Sequence, residues 1–172
     1  MFNIAEKTHT QTFYDLFNGK QPTKMLVAFC DSRAQAGDFN YNPFNFKDWS
    51  IRSLNVSRNG LPIPQGPLEL NVQEGDYLTS YLNLFRGSQM YRLDRGNDIP
   101  LVDYPFGNCI FSICFEEDGC DMENDTFPSV SYSNVRLSVS FAEALPTGVT
   151  MIVVGYFPKY FQVDYTRNIY LT

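Results

Sequence analysis

Apolar and polar positions fall into short runs along most of this chain, and turn residues separate the runs. That is the pattern of an all-β protein. Lys24-Met-Leu-Val-Ala-Phe-Cys30 and Asn108-Cys-Ile-Phe-Ser-Ile-Cys-Phe115 predict buried strands. The last forty residues predict three more. They are Asn134-Val-Arg-Leu-Ser-Val-Ser-Phe141, the apolar run Val149-Thr-Met-Ile-Val-Val-Gly-Tyr-Phe157, and a terminal strand from Phe161 to Leu171. Residues 1–12 hold a possible opening strand. A turn-like segment, Phe13-Tyr-Asp-Leu-Phe-Asn-Gly19, follows it, with Gly19 suited to a positive φ.

Residues 49–58 alternate, with Ile51, Leu54 and Val56 apolar and Arg52, Asn55 and Ser57 polar. The alternation slips by one near Ser53, which suggests a bulge. Asn59-Gly60 is the strongest short hairpin signal in the chain. The return over residues 61–67 carries three prolines, which cannot donate ladder bonds and point to an edge. Residues 76–85 predict one helix. Asp76 is placed to cap it, and Tyr77, Leu78, Tyr81, Leu82 and Phe85 form an apolar face. Gly87 stands where a left-handed residue would end it. Residues 31–48 and 86–107 read as ordered loops, and 116–133 as an acidic loop. The whole, 1–172, reads as one β-sandwich domain of about eight strands with one short inserted helix.

Composition sharpens this picture. The 172 residues include 15 Phe and 11 Tyr, and only 19% are charged. A soluble domain usually carries about 25% charged residues, so this surface suits packing against partners. The formal net charge is −6 and no Lys/Arg run is present. Direct nucleic-acid binding, which leaves a basic footprint, is therefore not expected. No stretch approaches 18 apolar residues and the N-terminus lacks a signal-peptide core, so neither a membrane span nor secretion is expected. Cys30, Cys109 and Cys114 lie in apolar strand-like runs. All four cysteines, Cys120 included, are read as free structural thiols in a reducing compartment.

Candidate chemistry is sparse. His9 is the single histidine, too few for the imidazole sets of metal-binding cupins, and it reads as a surface strand residue. The cysteine spacing matches no common zinc motif. The run Glu116-Glu-Asp-Gly-Cys-Asp-Met-Glu-Asn-Asp125 holds six carboxylates but not EF-hand spacing, so it reads as a solvated loop, with a weak Ca²⁺ site as the alternative. Asn55-Val-Ser57 and Asn124-Asp-Thr126 match the glycosylation pattern, read as chance in a chain without a signal peptide. Arg92, Asp94, Arg95, Asp98 and Asp103 make a mixed-charge stretch, either solvated or a contact loop. No catalytic residue, metal site or cofactor is expected.

Several segments in order resemble one family. They are Leu16-Phe-Asn-Gly-Lys-Gln-Pro-Thr-Lys-Met-Leu-Val-Ala-Phe29, Asn42-Pro-Phe-Asn-Phe46, Asn59-Gly60 with Pro62 and Pro64, and Tyr81-Leu-Asn-Leu-Phe85. Asp103-Tyr104, Gly107 with Ile110-Phe111, Asn134-Val-Arg-Leu137, Ala144-Leu-Pro146 and Asp164-Tyr-Thr-Arg-Asn168 complete the set. Over residues 13–171 the chain resembles the C-terminal jelly roll of the hexon-like, double jelly-roll major capsid proteins of Polinton/Maverick elements and adintoviruses. The resemblance implies a single jelly roll and a structural role in a virion, by self-assembly into trimers or by docking beside a companion jelly roll.

On that reading the contact residues are Phe44 and Phe46 in the 42–46 loop, Tyr81 and Phe85 on the helix, and Tyr91 and Tyr104 in the following loop. Alternatively, Phe44 and Phe46 plug the sandwich end. The chain departs from the family in size, holding one roll where a complete member has two. It is expected to be a capsid fragment, a domesticated copy or a stand-alone module, with anything missing lying upstream of Met1. Its location is the virion if viral and otherwise intracellular. The rival reading is a lectin-like or receptor-ligand-like binding module, with Trp49 and the tyrosines stacking on sugars. A cupin-type enzyme lacks the imidazoles it would need.

Overall fold

The computed structural model describes residues 1–88, 90, 96–115 and 131–171. Its strands are β1 (Phe2–Ile4), β2 (Thr10–Phe13), β3 (Lys24–Asp31), β4 (Phe46–Lys47), β5 (Ile51–Arg58) and β6 (Leu61–Glu69). They continue with β7 (Phe106–Gly107), β8 (Ile110–Cys114), β9 (Val135–Phe141), β10 (Val149–Tyr156), β11 (Phe161–Val163) and β12 (Ile169–Leu171). Among the described residues two α-helices, α1 (Ser32–Gln35) and α2 (Leu78–Gly87), and two short 3₁₀ turns, Val72–Glu74 and Leu101–Asp103, interrupt them. One four-stranded sheet has the order β1-β10-β3-β8 and the other β2-β9-β5-β6, with every pairing antiparallel.

The two sheets share one core. β3 and β10 contribute Met25, Val27, Phe29, Val149 and Met151 from one side, and β5 and β9 contribute Leu54, Val56, Val135, Leu137 and Val139 from the other. In β9 the alternation is strict: Val135, Leu137, Val139 and Phe141 are buried and the intervening residues are not. On its other face, small hydroxyls bridge the strands, Thr12 to Ser138 at 2.8 Å and Ser53 to Ser140 at 2.7 Å. Such cross-strand pairs reinforce register where packing does not.

Several sequence expectations hold in detail. The phase slip near Ser53 is a register shift between Ile51 and Ser53 against β9. Asn59 and Gly60 both take positive φ, 49° and 85°, as a two-residue hairpin turn requires. The Asn59 side chain also accepts the Asn134 N–H at 2.9 Å, tying this turn to the start of β9. The proline-bearing β6 is an edge strand.

Others are corrected. The opening strand over residues 1–12 is two strands on different sheets, β1 beside β10 and β2 beside β9, so the chain changes sheets between them. The 49–58 strand begins at Ile51, because Trp49 and Ser50 sit at φ 49° and 51°. The loop over 31–48 contains α1 and β4, and that over 86–107 contains β7, which pairs with β4. The terminal strand is a separate hairpin, β11 and β12, turning through residues 164–168. Among the described residues eight strands thus form the large sheets and four form two small ribbons.

The helix starts two residues later than expected. Asp76 instead exchanges backbone hydrogen bonds with Asn71, and Tyr77 occupies the cap without a side-chain bond. Gly87 is not a left-handed terminator; it is the last helical residue, and a side chain there would overlap Ser112 of β8. Cys30 and Cys109 are free and buried, but Cys114 is disulfide-bonded to a partner outside the described residues. The free-thiol argument for a reducing compartment therefore does not extend to Cys114. Among the described residues no helix is long and apolar enough to cross a membrane. The acidic run, Asn124 and most of the mixed-charge stretch lie outside them.

Candidate interaction surface

β3 runs from Lys24 to Asp31 against β10, so Asp31 and Val149 mark one end of the first sheet and Lys24 and Tyr156 the other. The segments on either side of β4 and β7 leave from the Asp31 end. Local hydrogen bonds shape them. Asp31 caps α1 by accepting the Arg33 N–H at 2.9 Å, and its carboxylate also accepts Nε at 3.0 Å and Nη2 at 2.7 Å. The Arg33 side-chain bonds hold the Asp31 carboxyl below its ordinary range. The Arg33 guanidinium lies over the Tyr41 ring, 4.0 Å from its centre. Asn42 Oδ1 accepts the Phe44 N–H at 2.9 Å, an Asx turn that turns Phe44 outward. Gly107 has φ 120°, and a Cβ there would press on Asn45 Oδ1 at 2.9 Å, so glycine is required where β7 meets β4.

The expected contact residues divide into groups. Phe44 is 75% exposed, whereas Phe46 is half-buried in β4 and its carbonyl accepts the Cys109 N–H at 2.8 Å. Tyr81 and Phe85 are half-buried on α2 and meet edge to face with ring centres 5.0 Å apart. Tyr104 is fully buried, so it is not a contact residue. Its ring packs against Tyr77 and Tyr81, and its hydroxyl donates to the Ile110 carbonyl at 3.0 Å. Tyr91 lies outside the described residues. The structure thus brings Tyr81, Phe85 and Tyr104 together as packing under α2 and leaves Phe44 apart from them.

Sequence reasoning missed the rest of the exposed apolar surface. At the Phe44 end, Phe39 is wholly exposed, Phe106 is 71% exposed, and Leu101 and Val102 are also uncovered. Phe106 pairs with Lys47 across β7 and β4, which places it on the same projection as the Phe44 loop. At the other end the β11–β12 hairpin exposes Phe161, Val163, Tyr165, Ile169 and Tyr170. Alternating apolar residues around a polar turn were visible there in the sequence, but they read equally well as one continuous strand.

A groove of about 830 Å³ beside β2, β5 and β9 is lined by His9, Asp48, Arg52, Glu69, Asp76 and Glu143, among others. Among the described residues no three His, Cys, Asp or Glu side chains are grouped to hold a metal ion. His9 is exposed as expected, but it lies in a bend just before β2 rather than in a strand. Cys109 is an inert thiol: burial, helped by the charge of Asp48, pushes it up to about 12, with the nearby Tyr104 hydroxyl acting in the opposite direction.

The chain has a longer relative. It is 28% identical over 156 residues to an uncharacterized protein of Caenorhabditis elegans, F54H12.2, a match covering 89% of this chain and 37% of the worm protein. The chain therefore spans little more than a third of that relative's length. No protein-family model matches it, and no solved structure does.

Proposed function

We propose that this chain is a structural, capsid-type subunit that acts by assembly and carries no catalytic site. The observation that carries this reading is aromatic surface left uncovered at both ends of a sandwich whose core is already complete. Exposed apolar patches of this kind mark association surfaces. The family resemblance gives the reading its form, the second jelly roll of a double jelly-roll major capsid protein. The strand order supports that form. Numbered in chain order, the eight strands of the large sheets run 1-8-3-6 and 2-7-4-5, the arrangement of two interlocked Greek keys in a jelly roll. A relative more than twice as long leaves room for a companion domain.

The rival binding-module reading leans on Trp49. Its indole N–H donates to the Phe29 carbonyl at 3.1 Å, and its half-buried ring lines a pocket of about 240 Å³ with Tyr41, Arg33 and Lys47, which is where a small ligand would have to sit. Sedimentation velocity of the purified chain tests the assembly reading, with concentration-dependent oligomers expected. Phe44→Ser should weaken association while leaving the fold intact. Phe46→Ser should lower stability instead. A chain that stays monomeric at high concentration and binds glycans would overturn the proposal.

A further inference from the structure

The end of the sandwich opposite Phe44 carries two unfinished features. The first is an open sheet edge. β1 pairs with β10 only at Val149, Thr150 and Met151. Along residues 152–156 no described strand pairs with β10 on the side away from β3. Beside this edge Val154 and Tyr156 stand exposed on the same face of the strand, with Lys24 Nζ 4.7 Å from the centre of the Tyr156 ring. A sheet edge left open this way is a template for another strand.

The second feature is the β11–β12 hairpin, which follows β10 after a four-residue link, residues 157–160. It belongs to neither large sheet and packs chiefly on itself. Yet it is preorganised. Asp164 Oδ1 accepts the Thr166 N–H at 2.8 Å, the Thr166 hydroxyl at 2.7 Å and the Asn168 N–H at 2.8 Å. Tyr165 at its tip is 98% exposed, Ile169 68% and Phe161 66%. A rigid hairpin of three-residue strands with outward aromatics is built to lie on something.

We propose that the hairpin is an exchange arm, which in the assembly lies along the open β10 edge of a second copy of this chain. The proposal rests on the assembly reading above and names the surface and partner. Two observations select a second copy. Both complementary elements, a free edge and a hairpin with free outer edges, are present at the same end, so two copies can satisfy each other reciprocally, as a two-fold contact requires. The area is of the right order: on the hairpin face that carries Phe161, Val163 and Ile169, the exposed parts of Phe161 and of Tyr165 at the tip amount to roughly 330 Å² at about 200 Å² per aromatic side chain. Val154, Val163 and Ile169 add to that on the way to the ~800 Å² per partner of a stable interface.

Sedimentation velocity on the 172-residue chain, with two variants, decides this. Phe161→Ser with Ile169→Ser alters only the hairpin, and Val154→Lys places a charge on the open edge. Each should weaken association at least tenfold with unchanged circular dichroism and unfolding midpoint. In a mixture of V154C copies and Y170C copies, a disulfide between unlike copies is expected. An oligomer that survives both variants overturns the arm and leaves the assembly reading standing. A wild-type chain that remains monomeric and does not bind the remaining part of a longer chain overturns both. A monomer that associates only with the remaining part of a longer chain gives the arm to a companion domain and overturns the second copy as its partner.

Discussion

Gly87, the last residue of α2, lies against Ser112 of β8 so closely that a Cβ on the glycine would overlap the serine side chain. Helix and strand meet there backbone to side chain, and Lys24 Nζ donates to the Gly87 carbonyl at 3.2 Å. Gly87→Ala is expected to cost about 1–3 kcal/mol, the range for overpacking a filled site. Ser112→Gly should recover part of that loss in the double variant, giving a measurable coupling in urea unfolding. Ser112→Ala alone should be neutral or stabilising, because its buried hydroxyl has no hydrogen-bond partner among the described residues.

Asn59 serves two purposes in one turn. It adopts positive φ, and it pairs with Asn134 through both its backbone N–H, at 3.0 Å, and its side chain, at 2.9 Å. Asn59→Ala loses the side-chain bond and the tolerance for that conformation, so a loss of about 1–2 kcal/mol is expected. Asn59→Gly should lose less, since it keeps the conformation. Equal losses from the two would refute this account.

The arm should open in acid. Hydrogen bonds to its ionised form, led by that from the Thr166 hydroxyl, hold the Asp164 carboxyl at about 2 against an ordinary 3.8. Because the folded value is the lower one, the stabilisation is complete above the ordinary carboxylate range. It is lost as pH falls through that range toward 2. Amide signals of residues 164–168 followed by NMR should shift between about pH 4 and 2. Asp164→Asn should remove most of that pH dependence.

Cys30 and Cys109 should resist thiol reagents in the native protein. Both are buried, and burial is the main cause that raises each thiol, Cys109 to about 12. The thiolate is the reactive form, so little is present at pH 8. A thiol assay at pH 8 should find neither reacting within minutes, and both reacting after urea is added. Fast native labelling of Cys109 would mean that the packing around Tyr104 opens readily.

Local chemistry determined what could be read along the chain. Alternation marked β9, the apolar runs marked β3, β8 and β10, a one-residue slip marked the irregularity in β5, and Asn59-Gly60 marked the β5–β6 turn. Each of these signals is carried by neighbours in sequence, whose side chains alternate about the strand or whose turn demands a particular φ. Tertiary structure decided the rest. Whether residues 2–13 form one strand or two depends on which strands, β10 and β9, stand ready to pair with them. Whether Gly87 ends a helix or fits it against a strand depends on Ser112, 25 positions away. Tyr104 and Phe44 are both aromatic residues in loops, yet one is sealed beneath α2 and the other faces solvent. Composition cannot separate them, because burial depends on what packs above a residue. The same limit hid the C-terminal arm: its alternation is that of any strand, and only the pairing partners show that it stands outside both sheets.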